Sequence, residues 1–147
     1  MLGGRDDPGL CISSDSMTED PLSFANNWAY EMINVDKVWS KLSYTGKGVR
    51  IRINDDGVDA DNKDFEGRFD QANSCDNFKP LEGDNDGHGT KVAGIVAGNA
   101  NNAHCAAGIA YESTFSSCNL FSGKIAFQTL DAKLESFDIS QNSIGLP

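Results

Sequence analysis

The sequence predicts an α/β domain with a largely parallel sheet, and three observations carry that prediction. Val49-Arg50-Ile51-Arg52-Ile53-Asn54 alternates apolar and polar residues and is β-branched at each apolar position, as in a strand, and Asp55-Asp56-Gly57 stops it. A glycine-rich loop around His88 runs into a small-residue helix, Thr90 to Gly98, suited to close packing on a sheet. Further extended segments then alternate with helical spacing, an order that favours parallel pairing.

The elements follow in order. Residues 1–19 are rich in Gly, Ser, Asp and Pro without periodicity and read as a flexible lead-in. Asp20-Pro21 forces an extended or turn conformation. Apolar residues recur at Trp28, Met32, Val35 and Val38-Trp39, which predicts one or two short helices. Tyr44 to Gly48 is a turn before the Val49–Asn54 strand, and Asp61 to Gly67 is a turn-rich connection after it. A short strand is expected near Arg68 to Ser74. Asn99 to Asn102 ends the helix that follows His88. Ile109 to Tyr111 reads as a short extended piece and Thr114 to Phe121 as a strand. Leu130, Leu134 and Phe137 predict a helix over 129–137, capped by Thr129 or Asp131. Asp138 to Ile144 reads as a strand onset. A sheet halted there is expected to be the front part of a larger domain, because a complete α/β domain covers both faces with helices.

A chain of 147 residues is long enough for one core. No apolar run is long enough to span a membrane. The net charge of −10 argues against nucleic acid or an anionic membrane and favours basic peptides or cations. The first residues contain no apolar stretch resembling a signal peptide. The four cysteines, Cys11, Cys75, Cys105 and Cys118, are too widely spaced for a disulfide miniprotein and lack the Cys-x-x-Cys spacing of a zinc site. A zinc site from Cys75, His88, His104 and Cys105 has no recognised spacing. Cys75 and Cys118 lie where neighbouring strands would let them pair.

His88 sits where a glycine-rich loop enters a helix, a placement that presents its ring for proton transfer. Asp55 ends a strand, where open α/β sheets place their catalysis. Each residue taken singly is more simply a turn or structural residue. As a pair they are more informative. An aspartate that accepts a hydrogen bond from histidine fixes its tautomer and stabilises the imidazolium formed when it takes a nucleophile's proton. A phosphate-cradle reading of the loop fails, because the Gly-Lys-Ser/Thr order is missing and Asp84 and Asp86 would repel phosphate.

These stretches resemble the subtilases, the subtilisin-like serine proteases, and within them the kexin/furin-like branch. The resemblance rests on Tyr44-Thr45-Gly46-Lys47-Gly48-Val49, Ile53-Asn54-Asp55-Asp56-Gly57-Val58 and His88-Gly89-Thr90-Lys91-Val92-Ala93-Gly94. It continues through Asn101-Asn102, Gly108-Ile109-Ala110-Tyr111 and Asn142-Ser143-Ile144-Gly145, in family order over residues 20–147. It implies a partial subtilisin-like fold, the N-terminal part of a catalytic domain, with a mainly parallel sheet flanked by helices. Asp55 becomes the histidine-orienting acid and His88 the general base and acid. Asp56 resembles the carboxylate that faces a basic substrate side chain. Ser143, Ile144 and Gly145 match the strand that pairs with an extended peptide or protein substrate. The kexin branch usually has Trp where this chain has Ile144.

The resemblance further implies a structural Ca²⁺ held by Asp20, Asp64 and the 99–106 loop. There Asn102 would give its side chain, and Asn99, His104 and Ala106 their carbonyls. It also implies the secretory pathway or the extracellular space. Cys105 matches a cysteine that the kexin branch pairs near its nucleophile. Lys124 stands where kexin-like enzymes tend to place an acid, and a lysine there argues against strict multibasic specificity. The family's nucleophile lies in a Gly-Thr-Ser segment, which does not occur in these residues and is expected after Pro147 together with the oxyanion-hole Asn. The alternative expectation is a non-catalytic relative that keeps calcium- and peptide-binding surfaces.

Overall fold

A computed structural model describes residues 28–75, 87–102, 107–121 and 133–143. Two short helices, α1 (Trp28–Ile33) and α2 (Val35–Lys37), run into a π-helical turn at Val38–Leu42. Three strands follow, β1 (Arg50–Asp55), β2 (Thr114–Asn119) and β3 (Ile139–Asn142), with helix α3 (His88–Ala97) between β1 and β2. The sheet order is β2-β1-β3, and both pairings are parallel. Ile53 lies opposite Ser117 on one side and Gln141 on the other, so β1 is central in the described sheet.

The core joins the sheet to α3. Ile51, Ile53, Val58, Phe65, Ala93, Ala97 and Phe115 form one buried cluster. Ala93 and Ala97 are fully buried, and their small side chains let α3 lie close to β1. Phe115 meets Phe65 and Phe69 edge to face, with ring centroids 5.1 and 5.5 Å apart. The N-terminal helices dock on the turn before β2. The Tyr30 hydroxyl donates to the Ala107 carbonyl, the Trp39 indole donates to the Ile109 carbonyl, and Trp39 stacks edge-on against Tyr111.

Several expectations hold and several are corrected. Strands at 49–54, 114–121 and 138–144 are found within a residue or two of the expected limits. Helix α3 begins at His88, two residues before the expected start. The strand expected near 68–74 reduces to a single bridge, Phe69 to Phe115, followed by a 3₁₀ turn at Gln71–Asn73. Asp70 explains the turn, because its side chain accepts from the amides of Ala72 and Asn73 and diverts the backbone from the ladder. Residues 109–111 form a turn instead of an extended piece. Of the helix expected over 129–137, the described part is a 3₁₀ turn at Leu134–Ser136, and 129–132 lie outside the described residues. The lead-in expected over 1–19 also lies outside them.

The alternation along β1 does not mark an exposed face. Residues Ile51 to Asp55 are all buried. Arg52 is 1% exposed, with Nη2 3.2 Å from Cys75 Sγ and its guanidinium 5.8 Å from the Phe137 ring centroid. Cys75 and Cys118 form the disulfide that their placement allowed, with Cα atoms 4.8 Å apart.

Candidate active site

Asp55 is the last residue of β1, and His88 is the first of α3. They meet because α3 packs its alanine face on β1 with its N-terminus at the strand's C-terminal end. Gly89 makes that approach possible. A Cβ there would stand 2.3 Å from the Gly57 carbonyl oxygen and 2.9 Å from Asp55 Cβ, so no larger residue fits. Gly87 precedes the helix with φ of 52°, in the left-handed region, and turns the chain into it.

His88 Nδ1 lies 2.8 Å from Asp55 Oδ1. The Asp55 side chain is 3% exposed, whereas that of His88 is 47% exposed. One end of the imidazole is thus anchored to a buried carboxylate while the ring remains accessible. The Asp56 amide also donates to Asp55 Oδ1 at 2.8 Å, and the Leu120 amide donates to the Asp55 carbonyl at 2.9 Å. Asp55 Oδ2 is buried with no hydrogen-bond partner among the described residues. A carboxylate held this way fixes the imidazole tautomer and favours the imidazolium when the ring accepts a proton.

Asp56 lies against the N-terminus of α3. It is 6% exposed, and its two oxygens accept the first two amides of α3: His88 N to Oδ2 at 3.0 Å and Gly89 N to Oδ1 at 2.6 Å. Burial, with the neighbouring Asp55 charge adding to it, raises its pKa above the ordinary carboxylate value, and the backbone amides act in the opposite direction. No local pattern signals this, because the cap comes from a residue 32 positions before the helix.

Beside the pair, Asn54 staples β1 to β3. Its Nδ2 donates to Ser140 Oγ and Asn142 Oδ1, each at 3.0 Å. This sets the direction in which the chain leaves β3 toward Ser143, which is exposed. Ile144 and Gly145 lie outside the described residues.

The expected calcium ligands are partly in view. Asp64 is 1% exposed; its Oδ1 accepts from Asn102 Nδ2 at 2.8 Å, and its carbonyl accepts the Asn99 amide at 2.9 Å. Asp64 Oδ2 is buried without a hydrogen-bond partner among the described residues, and burial pushes the carboxyl up to about 6. The Asn99 side chain is taken up by Arg68 and the Glu66 carbonyl. Asp20, His104 and Ala106 lie outside the described residues. The zinc arrangement is not formed, since the Cys75 sulfur is bonded to Cys118.

Residues 46–145 match the sequence model of the Subtilase family, more than half of the chain. The chain belongs to the subtilase family. Among its relatives, a proprotein convertase subtilisin/kexin type 5 from Branchiostoma californiense is 35% identical over 114 residues, which are 72% of this chain and 6% of that protein. Furin-like protease 2 from Drosophila melanogaster is 37% identical over 128 residues, 78% of this chain and 7% of that protein. A proprotein convertase subtilisin/kexin type 4 from Rattus norvegicus is 32% identical over 110 residues, 69% of this chain and 16% of that protein. This subtilase chain therefore spans only a small part of the length of the relatives it matches. The three parallel strands and the helices among the described residues are those of a partial subtilisin-like α/β domain, and its lineage is that of the kexin/furin-like serine proteases.

Proposed function

We propose that this chain supplies the acid–base half of a serine endopeptidase that cleaves peptide bonds in proteins. The observation that carries the reading is the 2.8 Å contact between His88 Nδ1 and the buried Asp55 carboxylate, with the ring half-exposed. In the complete enzyme the His88 ring takes the proton of a serine hydroxyl as the oxygen attacks a peptide carbonyl. The ring then gives that proton to the leaving amine, while Asp55 stabilises the imidazolium between the two steps. The serine and the oxyanion-hole Asn belong to sequence after Pro147 in this reading. Ser143, Ile144 and Gly145 pair with an extended substrate.

The net charge of −10 supports a preference for basic substrates through its long-range field. Asp56 adds to that field more than it adds a contact, because both its oxygens already accept helix amides. Lys124 opposes a strict multibasic requirement. The Cys75–Cys118 disulfide supports a secretory or extracellular setting. No helix among the described residues is long and apolar enough to cross a membrane.

A structural calcium is part of the same reading. The buried Asp64 carboxylate, one oxygen of which is orphaned among the described residues, suits a hard cation, with Asp64, Asn102 and the Asn99 carbonyl as ligands beside Asp20, His104 and Ala106. When bound, Ca²⁺ supplies fixed positive charge that ties the segment after β1 to the loop after α3. The same observation favours a second reading, a non-catalytic module that keeps calcium- and peptide-binding surfaces. The two readings separate on the gene: an in-frame Gly-Thr-Ser after Pro147 supports the protease, and a stop codon there supports the module. A fluorophosphonate should label the complete gene product and lose that labelling in His88→Ala, and it should leave the isolated 147-residue chain unlabelled. Labelling of the isolated chain after removal of contaminating proteases would contradict the reading.

A further inference from the structure

We infer that Asp56 is the positioning residue of His88, a clamp that holds the histidine backbone while Asp55 holds its ring. The inference rests on the reading of Asp55 and His88 as the acid–base pair, and it goes beyond it. An α-helix leaves its first four amides without intrahelical acceptors, and a side chain at the N-cap position ordinarily accepts one of them. In α3 that position is Gly87, which has no side chain to offer. Asp56 supplies the missing cap from the end of β1, accepting the first amide, of His88, and the second, of Gly89. A carboxylate is also the favourable group at the positive end of the helix dipole.

The consequence for the histidine is geometric. Consecutive residues of one strand end grip His88 twice: Asp55 at Nδ1 and Asp56 at the backbone nitrogen. Only the two side-chain torsions lie between those points, so fixing both ends fixes the plane of the ring and the direction of Nε2. That nitrogen must meet the nucleophile, and a misplacement of about 1 Å can cost on the order of 100-fold in rate. The clamp is itself locked, because the Asp56 amide donates to the same Asp55 oxygen that holds the ring. Gly89 is part of the arrangement, since a Cβ there would lie 2.8 Å from Asp56 Oδ1.

The test is nuclear magnetic resonance on the full 147-residue chain, uniformly ¹⁵N-labelled. The wild type should show a low-field Nδ1–H proton of His88 and slowed hydrogen exchange at the His88 and Gly89 amides. Asp56→Ala should lose the slowed exchange at both amides, at least tenfold, and should broaden or abolish the Nδ1–H signal. Asp56→Ser, which keeps one cap acceptor, should restore the signal in part. Asp55→Asn should lose the Nδ1–H signal and keep the amide protection. A folded Asp56→Ala chain with an undiminished Nδ1–H signal would overturn the inference. If that variant does not fold, the wild-type amides decide: unprotected His88 and Gly89 amides overturn the clamp, and protected ones that weaken in Asp56→Ser support it. A missing Nδ1–H signal in a wild type whose two amides are protected would instead defeat the Asp55–His88 pair.

Discussion

Asp55 and Asp56 are neighbours of the same residue type, yet they take different work from their surroundings. Asp55 faces the imidazole, whereas Asp56 faces the helix amides and sits beside another carboxylate. Burial first, and the Asp55 charge after it, raise the Asp56 pKa above its unfolded value. The folded chain therefore keeps a proton there over a pH range in which the unfolded chain has lost it. Across that window the unfolding free energy falls as pH rises, and the ionised cap carries its full cost above the raised pKa. Asp56→Ser removes the titrating group and keeps a cap acceptor, so urea midpoints measured across the acid range should lose part of that slope. An unchanged slope would contradict the assignment. Both aspartates were legible in the sequence as a strand-end pair. Their division of labour was not, because it depends on a helix that starts 32 residues later.

At the scale of elements, the site is the meeting of β1 with the N-terminus of α3. Sequence periodicity located both, since β-branched residues mark the strand and a glycine-rich loop marks the start of the helix. The polar positions of that alternation are buried as well, Arg52 beside Cys75 and Phe137, Asn54 bonded to β3. A parallel strand covered on both sides reads as apolar throughout only when its second side is apolar, and here that side is polar and hydrogen-bonded. The expected strand at 68–74 failed because Asp70 bonds its own following amides, a local competition invisible to periodicity. The Gly89 packing yields a prediction at this scale. Gly89→Ala places a methyl 2.3 Å from a backbone oxygen and should destabilise the fold by about 1–3 kcal/mol, read from urea unfolding. Ile95, on the exposed side of α3, is the control, and Ile95→Ala should cost well under that.

For the whole molecule, one covalent tie and one proposed cation tie bear on the segments that flank the site. The disulfide closes a loop across 43 positions, for which chain entropy gives about 4 kcal/mol, an upper figure for what reduction or Cys118→Ser should remove. The cation proposed at Asp64 is the second. Millimolar Ca²⁺ should raise the melting temperature by several degrees, since saturation at about 100 times Kd is worth roughly 2.7 kcal/mol, and Asp64→Asn should abolish the shift. A melting temperature unmoved by Ca²⁺ would count against that site. The proposed cation ligands were legible only through resemblance. Composition alone gives an Asn-rich turn, and the orphaned Asp64 oxygen exists only once the turn is folded against the loop.

Peptide hydrolysis by the complete gene product, sequenced and expressed past Pro147 and assayed with Asp55→Asn beside the wild type, decides whether Asp55 and His88 work as a pair. The wild type should hydrolyse peptide, with kcat about 10⁴-fold lower in the variant and the fold intact, as expected when histidine loses the acceptor that fixes its tautomer. Equal kcat values in the two proteins would show that the Asp55–His88 contact is not a catalytic pair.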